Sequence, residues 1–222
     1  MGQSEGRVAQ LGERLVRNEE VRGSIPLTST DLRGFIGSSH AGCGENMAAD
    51  YFPLKANTRL EYAYKSTEFE GTARVFIDIV KVARKTGKTV AQARMTFELR
   101  DAHTDEYTVV RDAKWLTTAD GVIVGGRREF PLPPKEGAAW KESPDSSEIV
   151  SVSDKVSIKA GKFHKCMKIL TVLSGQDSGQ SVRYYAPGTG YILEEYAGQD
   201  KTCRLELVRS GPIPPPVVKK RK

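Results

Sequence analysis

From residue 51 to residue 209 the chain alternates apolar and polar side chains with a period of two, and turn residues interrupt the alternation every 8–15 positions. Period two sends successive side chains to opposite faces of a strand, so a long run of it specifies a sheet with one apolar face. In residues 59–64, Leu60, Tyr62 and Tyr64 share a face. Residues 72–84 put Val75, Ile77 and Ile79 on one face and Phe76 and Val80 on the other. Lys85-Thr86-Gly87-Lys88 is a hairpin turn, with Gly87 available for a positive φ. Residues 89–100 follow, carrying Ala91, Ala93, Met95, Phe97 and Leu99 on one side.

Shorter strands are expected at 107–110 and 114–117, and Asp120-Gly121 leads into Val122-Ile123-Val124 and Gly125-Gly126. Residues 143–147 read as a turn region. Further strands are expected at 148–152, 156–159, 163–173, 181–186, 190–196 and 202–209, the last with Cys203, Leu205 and Leu207 on its apolar face. Tyr184-Tyr185-Ala186-Pro187-Gly188-Thr189-Gly190-Tyr191-Ile192-Leu193 gives the sharpest turn signal, since Pro187 pre-sets one φ and two glycines follow. Residues 130–140 hold Pro131, Pro133 and Pro134, which remove ladder donors and exclude a central strand. Phe130-Pro131-Leu132 echoes Phe52-Pro53-Leu54. Each is followed by a polar loop and a large apolar residue, as in two similar lead-ins to successive sheet segments and an old duplication.

These readings sum to an all-β fold of about eleven strands, an antiparallel meander curled into a barrel or half-barrel, because flat sheets rarely extend that far. Residues 47–210 form a single β domain. Residues 1–46 form a disordered or weakly helical extension, and 211–222 a Pro-rich basic tail. The modest inward residues Val75, Ala91, Ala93 and Val109 leave two outcomes open, a cavity or a filled core.

The extension has a second reading. Val8-Ala9-Gln10-Leu11 and Gly23-Ser24-Ile25-Pro26 resemble a translated bacterial tRNA gene, with the D-arm and T-arm at the expected spacing. On that reading the biological start lies near Met47. Ala41-Gly42-Cys43-Gly44 resembles the end of a lipoprotein signal, although the preceding residues 34–40 lack an apolar core.

Charge narrows the partners. The chain of 222 residues has 34 basic and 28 acidic residues, a net +6. Lys219-Lys220-Arg221-Lys222 supply four of those charges, so the rest carries 6 − 4 = +2. A near-neutral mixed surface excludes specific nucleic-acid binding, and the tail reads as solvated, with an acidic lipid or nucleic-acid surface as the other option. No run approaches the roughly 18 apolar residues of a membrane helix. Cys43, Cys166 and Cys203 lack metal-ligand spacing. Cys166 and Cys203 pair only if the protein is exported and the sheet brings their strands together.

No catalytic, cofactor-binding or metal residues emerge, and ligand-binding residues stay unknown. His40, His103 and His164 are scattered, the serines have no nucleophile-elbow context, and Gly125-Gly126 opens no helix. Glu194 and Glu195 are neighbours on a strand and point to opposite faces. Tyr184, Tyr185 and Tyr191 form either a binding lip or ordinary half-buried strand positions.

At Phe52-Pro53-Leu54, Tyr62-Ala63-Tyr64 and Tyr184-Tyr185-Ala186-Pro187-Gly188-Thr189-Gly190 the chain resembles a broad group of uncharacterised bacterial β-rich proteins, many of them exported or lipoproteins. Ala160-Gly161-Lys162-Phe163 and Cys166 fit the group, whereas Asn57 and Leu60 stand where Gly and Trp are commoner. The resemblance spans roughly residues 51–208 and implies the cell envelope, while the N-terminus, lacking a secretory signal, implies the cytoplasm. Two functions are expected: a non-enzymatic protein holding an apolar small molecule or lipid in its curved sheet, or an envelope-associated structural or interaction module with a filled core.

Overall fold

The structure, a computed structural model, describes residues 49–175 and 178–215. The expectations for residues 1–46, including Cys43 and His40, and for the basic cluster 219–222 lie outside them. Twelve strands follow in order: β1 (Thr58–Ser66), β2 (Ala73–Lys85), β3 (Lys88–Glu98), β4 (Ala102–Arg111), β5 (Trp115–Thr118), β6 (Arg127–Pro131), β7 (Ala139–Glu142), β8 (Asp145–Ile158), β9 (Gly161–Leu173), β10 (Gly179–Ala186), β11 (Gly190–Gly198) and β12 (Thr202–Pro212). All pair antiparallel in one sheet of order β6-β5-β4-β3-β2-β1-β12-β11-β10-β9-β8-β7, nearly closed into a barrel.

The alternation decides what fills it. Leu60, Tyr62 and Tyr64 of β1, Val75, Ile77 and Ile79 of β2, and Cys203, Leu205 and Leu207 of β12 are buried together. Burying each larger apolar side chain contributes roughly 1.5–3 kcal/mol. Ala91 and Ala93 also point inward, and Tyr107 stands in register with Ala93, a large ring beside a small side chain. On the outer wall Phe76 is buried beneath the guanidinium groups of Arg59 and Arg74. Beside it, Asp78 bridges Arg59 at 2.6 Å and Arg94 at 2.9 Å across three strands.

β1 pairs with β12, so the two edges of the sheet, β6 and β7, are consecutive in sequence and face each other across a seam. Both are short, and both come from the proline-bearing segment that could not be central. The seam is crossed by Arg128, whose backbone N–H donates to the Glu142 carboxylate at 3.1 Å and whose guanidinium donates to the Lys141 carbonyl at 2.6 Å. Trp115 and Trp140 meet edge to face nearby.

Four local expectations change. Residues 122–124 are bends, tucked partly into the core. Residues 145–158 form one strand, because β-bulges absorb the polar interruption that had suggested two. β4 begins at Ala102, ahead of the strand expected at 107–110. β12 runs to Pro212 by pairing with Thr58, past the expected end at 209.

The two aromatic-Pro-Leu stretches are placed differently, Phe52-Pro53-Leu54 outside any strand and Phe130 and Pro131 at the end of β6. Phe52-Pro53-Leu54 precedes β1 and Phe130-Pro131-Leu132 precedes β7, each the first strand of a six-strand meander. In each half the second and third strands are long: 13 and 11 residues in β2 and β3, 14 and 13 in β8 and β9.

Candidate functional site

Where β1 begins, the chain must enter the barrel past the β10–β11 turn, and Asn57 takes a φ of +59° to make the bend. The lead-in is fastened there: the Gly188 N–H donates to the Asp50 carbonyl at 2.8 Å. The Tyr51 hydroxyl donates to the Lys165 carbonyl at 3.1 Å. Gly190, with φ +97°, has no Cβ, and one added there would sit 3.3 Å from Pro53 Cδ. Phe52-Pro53-Leu54 and Pro187-Gly188-Thr189-Gly190 are therefore two halves of one rim.

That rim surrounds a pocket of about 400 Å³ at this end of the barrel. Its walls include Phe52, Pro53, Lys55, Thr189 and Ser210, and its deeper lining is core: Leu60, Tyr62, Ile77, Ile79 and Tyr191. The Tyr62 hydroxyl donates to the Tyr191 backbone carbonyl at 2.8 Å, fixing the Tyr62 ring, whose centroid lies 5.7 Å from that of Tyr191. A wider groove of about 510 Å³ lies between Lys65, Gln180, Val182 and Arg204, but it is open and crossed by the Arg204–Glu195 ion pair.

Behind Tyr191 the barrel is packed with polar groups. Glu129 of β6 accepts from Thr118 Oγ1 at 2.8 Å, from the Tyr185 hydroxyl at 2.5 Å and from the Arg183 guanidinium. Arg183, fully buried, also donates to Thr171 Oγ1 at 2.9 Å, and Thr171 bonds Ser147 at 2.8 Å. Glu194 accepts from Ser181 Oγ at 2.5 Å and from the Tyr191 hydroxyl. Arg127 lies between the carboxylates, 3.5 Å from Glu129 and 3.8 Å from Glu194. Two arginines and two glutamates cancel, as buried charges must.

Burial works against the Glu129 carboxylate, but Arg127 and Arg183 outweigh it and hold its pKa at about 2. Burial and the neighbouring carboxylates push Tyr185 and Tyr191 well above the ordinary tyrosine value. These three groups therefore keep their protonation states throughout the neutral range.

The expected aromatic lip divides. Tyr191 lines the pocket, Tyr185 is buried in the polar cluster, and Tyr184 lies on the outer wall beneath Lys168. Glu194 points in and Glu195 out to Arg204. Exposed His103 sits 3.1 Å from Asp105, and His164 is exposed on β9. Cys166 and Cys203 are buried free thiols, Cys203 accepting from the Tyr64 hydroxyl at 3.2 Å. Sequence reading missed Glu129, Arg127 and Arg183. A signal existed for Arg183, which shares a face with Ser181 and Tyr185 and so had to be inward with a partner.

The geometry defines a class: a nearly closed antiparallel barrel, packed through its middle, with a pocket at one end. No protein-family model and no curated protein matches the chain. Solved structures share its fold. One is a Bacteroides fragilis protein provisionally assigned as exported, with a YmcC-like fold, at 12% identity and TM-score 0.54 over 73% of this chain and 99% of that one. Another, from Parabacteroides distasonis, is provisionally assigned as a lipoprotein, at 11% identity and TM-score 0.51 over 74% of this chain and 99% of the other.

Proposed function

We propose that this protein is a non-enzymatic ligand-binding barrel of the bacterial cell envelope, holding the apolar part of a small molecule or lipid in its end pocket. One observation carries the reading: the lining of the pocket is made of the barrel's own core side chains, Leu60, Tyr62, Ile77, Ile79 and Tyr191. A volume of about 400 Å³ lies within the range of ligand sites, roughly 300–1,000 Å³. The envelope assignment takes its support from the exported and lipoprotein assignments of the two fold neighbours. The non-enzymatic part takes its support from Glu129, Tyr185 and Tyr191, none of which titrates near neutrality.

Native mass spectrometry of the full chain, purified without detergent from a bacterial host, tests this. The expected result is extra mass that dissociates on activation as an apolar molecule and is absent from Ile79→Trp, which fills the pocket. A bare mass on a compact protein overturns it. The packed middle of the barrel then favours the other function, an envelope interaction module.

A further inference from the structure

The β2–β3 hairpin leaves the barrel at the pocket end. Ile79, in register with Thr58 at the start of β1, lines the pocket, and β2 continues past it to Lys85. The register shift between Ile79 and Lys81 makes Val80 an extra residue, 45% exposed. Beyond it Lys81, Arg84, Lys85 and Lys88 are exposed, with no acidic residue between them. Lys55 on the pocket rim and Lys114 in the adjacent turn extend the same positive surface. None of these six forms an ion pair among the described residues.

The neighbouring carboxylates are engaged. Asp50 bonds Arg111 at 2.7 Å and Asp78 is held between Arg59 and Arg94, while Asp112, which accepts the Lys114 and Trp115 N–H groups, leaves one negative charge beside Lys88 and Lys114 against the six cations. The other long hairpin, β8–β9, is folded back: the Ala160 N–H donates to the Leu207 carbonyl of β12. The β2–β3 tip is exposed from Arg84 to Lys88.

We propose that this end of the barrel docks on an anionic lipid bilayer, with the β2–β3 hairpin as its electrostatic contact. A bilayer is the partner whose chemistry matches both features. Its headgroups neutralise a cationic hairpin, and its acyl layer lies beneath an exposed valine and an apolar pocket mouth. A soluble polyanion matches only the charge. The inference goes beyond pocket occupancy and stands whether or not the pocket holds a ligand.

Co-sedimentation of the full chain with lipid vesicles tests it. One set is phosphatidylcholine alone, the other phosphatidylcholine with phosphatidylglycerol, each at low and high salt. The wild type is expected to bind only the anionic vesicles and to lose that binding at high salt. Each charge near an anionic surface is worth about fivefold in partitioning. Lys81→Glu with Arg84→Glu, Lys85→Glu and Lys88→Glu therefore lowers binding more than a hundredfold. An unchanged unfolding midpoint shows the variant is folded, and Lys85→Ala with Lys88→Ala serves if it is not, with a loss of about 25-fold.

A second variant with Lys219, Lys220, Arg221 and Lys222 all changed to Gln keeps its binding. Loss in that tail variant, binding that survives hairpin reversal, or no binding to anionic vesicles overturns the proposal. Retention on heparin without vesicle binding also overturns it, in favour of a soluble polyanion. The pocket-filling Ile79→Trp keeps vesicle binding, which separates this failure from that of the ligand-binding reading.

Discussion

Glu129 is one carboxylate on a five-residue edge strand, yet through Arg183, Tyr185 and Thr118 it joins β6 to β10 and β5. Removing it leaves Arg183 and Arg127 in the barrel with Glu194 as the one remaining counter-charge of the cluster. We expect Glu129→Ala to cost about 3–5 kcal/mol, read as a fall in the urea midpoint at neutral pH. The sign of its pH dependence follows from the depressed pKa. The carboxylate is stabilising above its unfolded value, roughly 4.3, and that contribution is lost as pH falls from there towards 2. The wild type should therefore lose stability across that window more steeply than Glu129→Gln. At the thiols, burial and then Asp154 raise the Cys166 pKa to about 11. Cys166 should react with a thiol reagent only after the chain unfolds, which titration with and without guanidinium measures.

At the level of elements, the seam and the rim behave differently. β6 and β7 are joined by Arg128 side-chain and backbone donors in place of a ladder. Arg128 is partly exposed, so Arg128→Ala should cost no more than about 1 kcal/mol. Its signature is local: amide exchange should rise in residues 127–131 and 139–142 and stay unchanged in β1 and β12. The rim depends on close approach. A side chain at Gly190 meets both a positive φ and Pro53, so Gly190→Ala should cost roughly 1–2 kcal/mol. It should also weaken ligand retention in native mass spectrometry by shifting residues 52–57.

At the level of the whole molecule, the barrel is two six-strand meanders that meet fully at β1–β12 and only through side chains at β6–β7. Thr58 pairs with Pro212, so the two ends of the described chain lie at the same end of the barrel. We expect a circular permutant with residues 215 and 49 joined by a short Gly/Ser linker, and new ends within residues 132–138, to keep the fold. The cut falls in the connection between β6 and β7, which share no ladder, and the backbone bonds of Leu132 to Lys114 and of Gly137 and Ala138 to Ile149 lie at its two ends. Near-UV circular dichroism and a cooperative unfolding transition check this; a molten spectrum would refute it.

The sequence by itself determined the strand class, most strand positions and the inward face of β1, β2, β3 and β12. Those follow from the pleat and the turn residues, which act over a few positions along the chain. It also kept the proline-bearing segment out of the middle of the sheet. Tertiary structure alone decided that β1 meets β12, that the seam falls at β6–β7, and that Glu129 and Arg183 face each other. It also decided the cavity. Ala91 and Ala93 invited one along their strand, but Tyr107 stands beside Ala93 and the opening lies instead at the mouth, over Leu60, Tyr62, Ile77, Ile79 and Tyr191. Empty space is the difference between the volume a closed sheet encloses and the side chains that fill it. That difference exists only once distant strands have met.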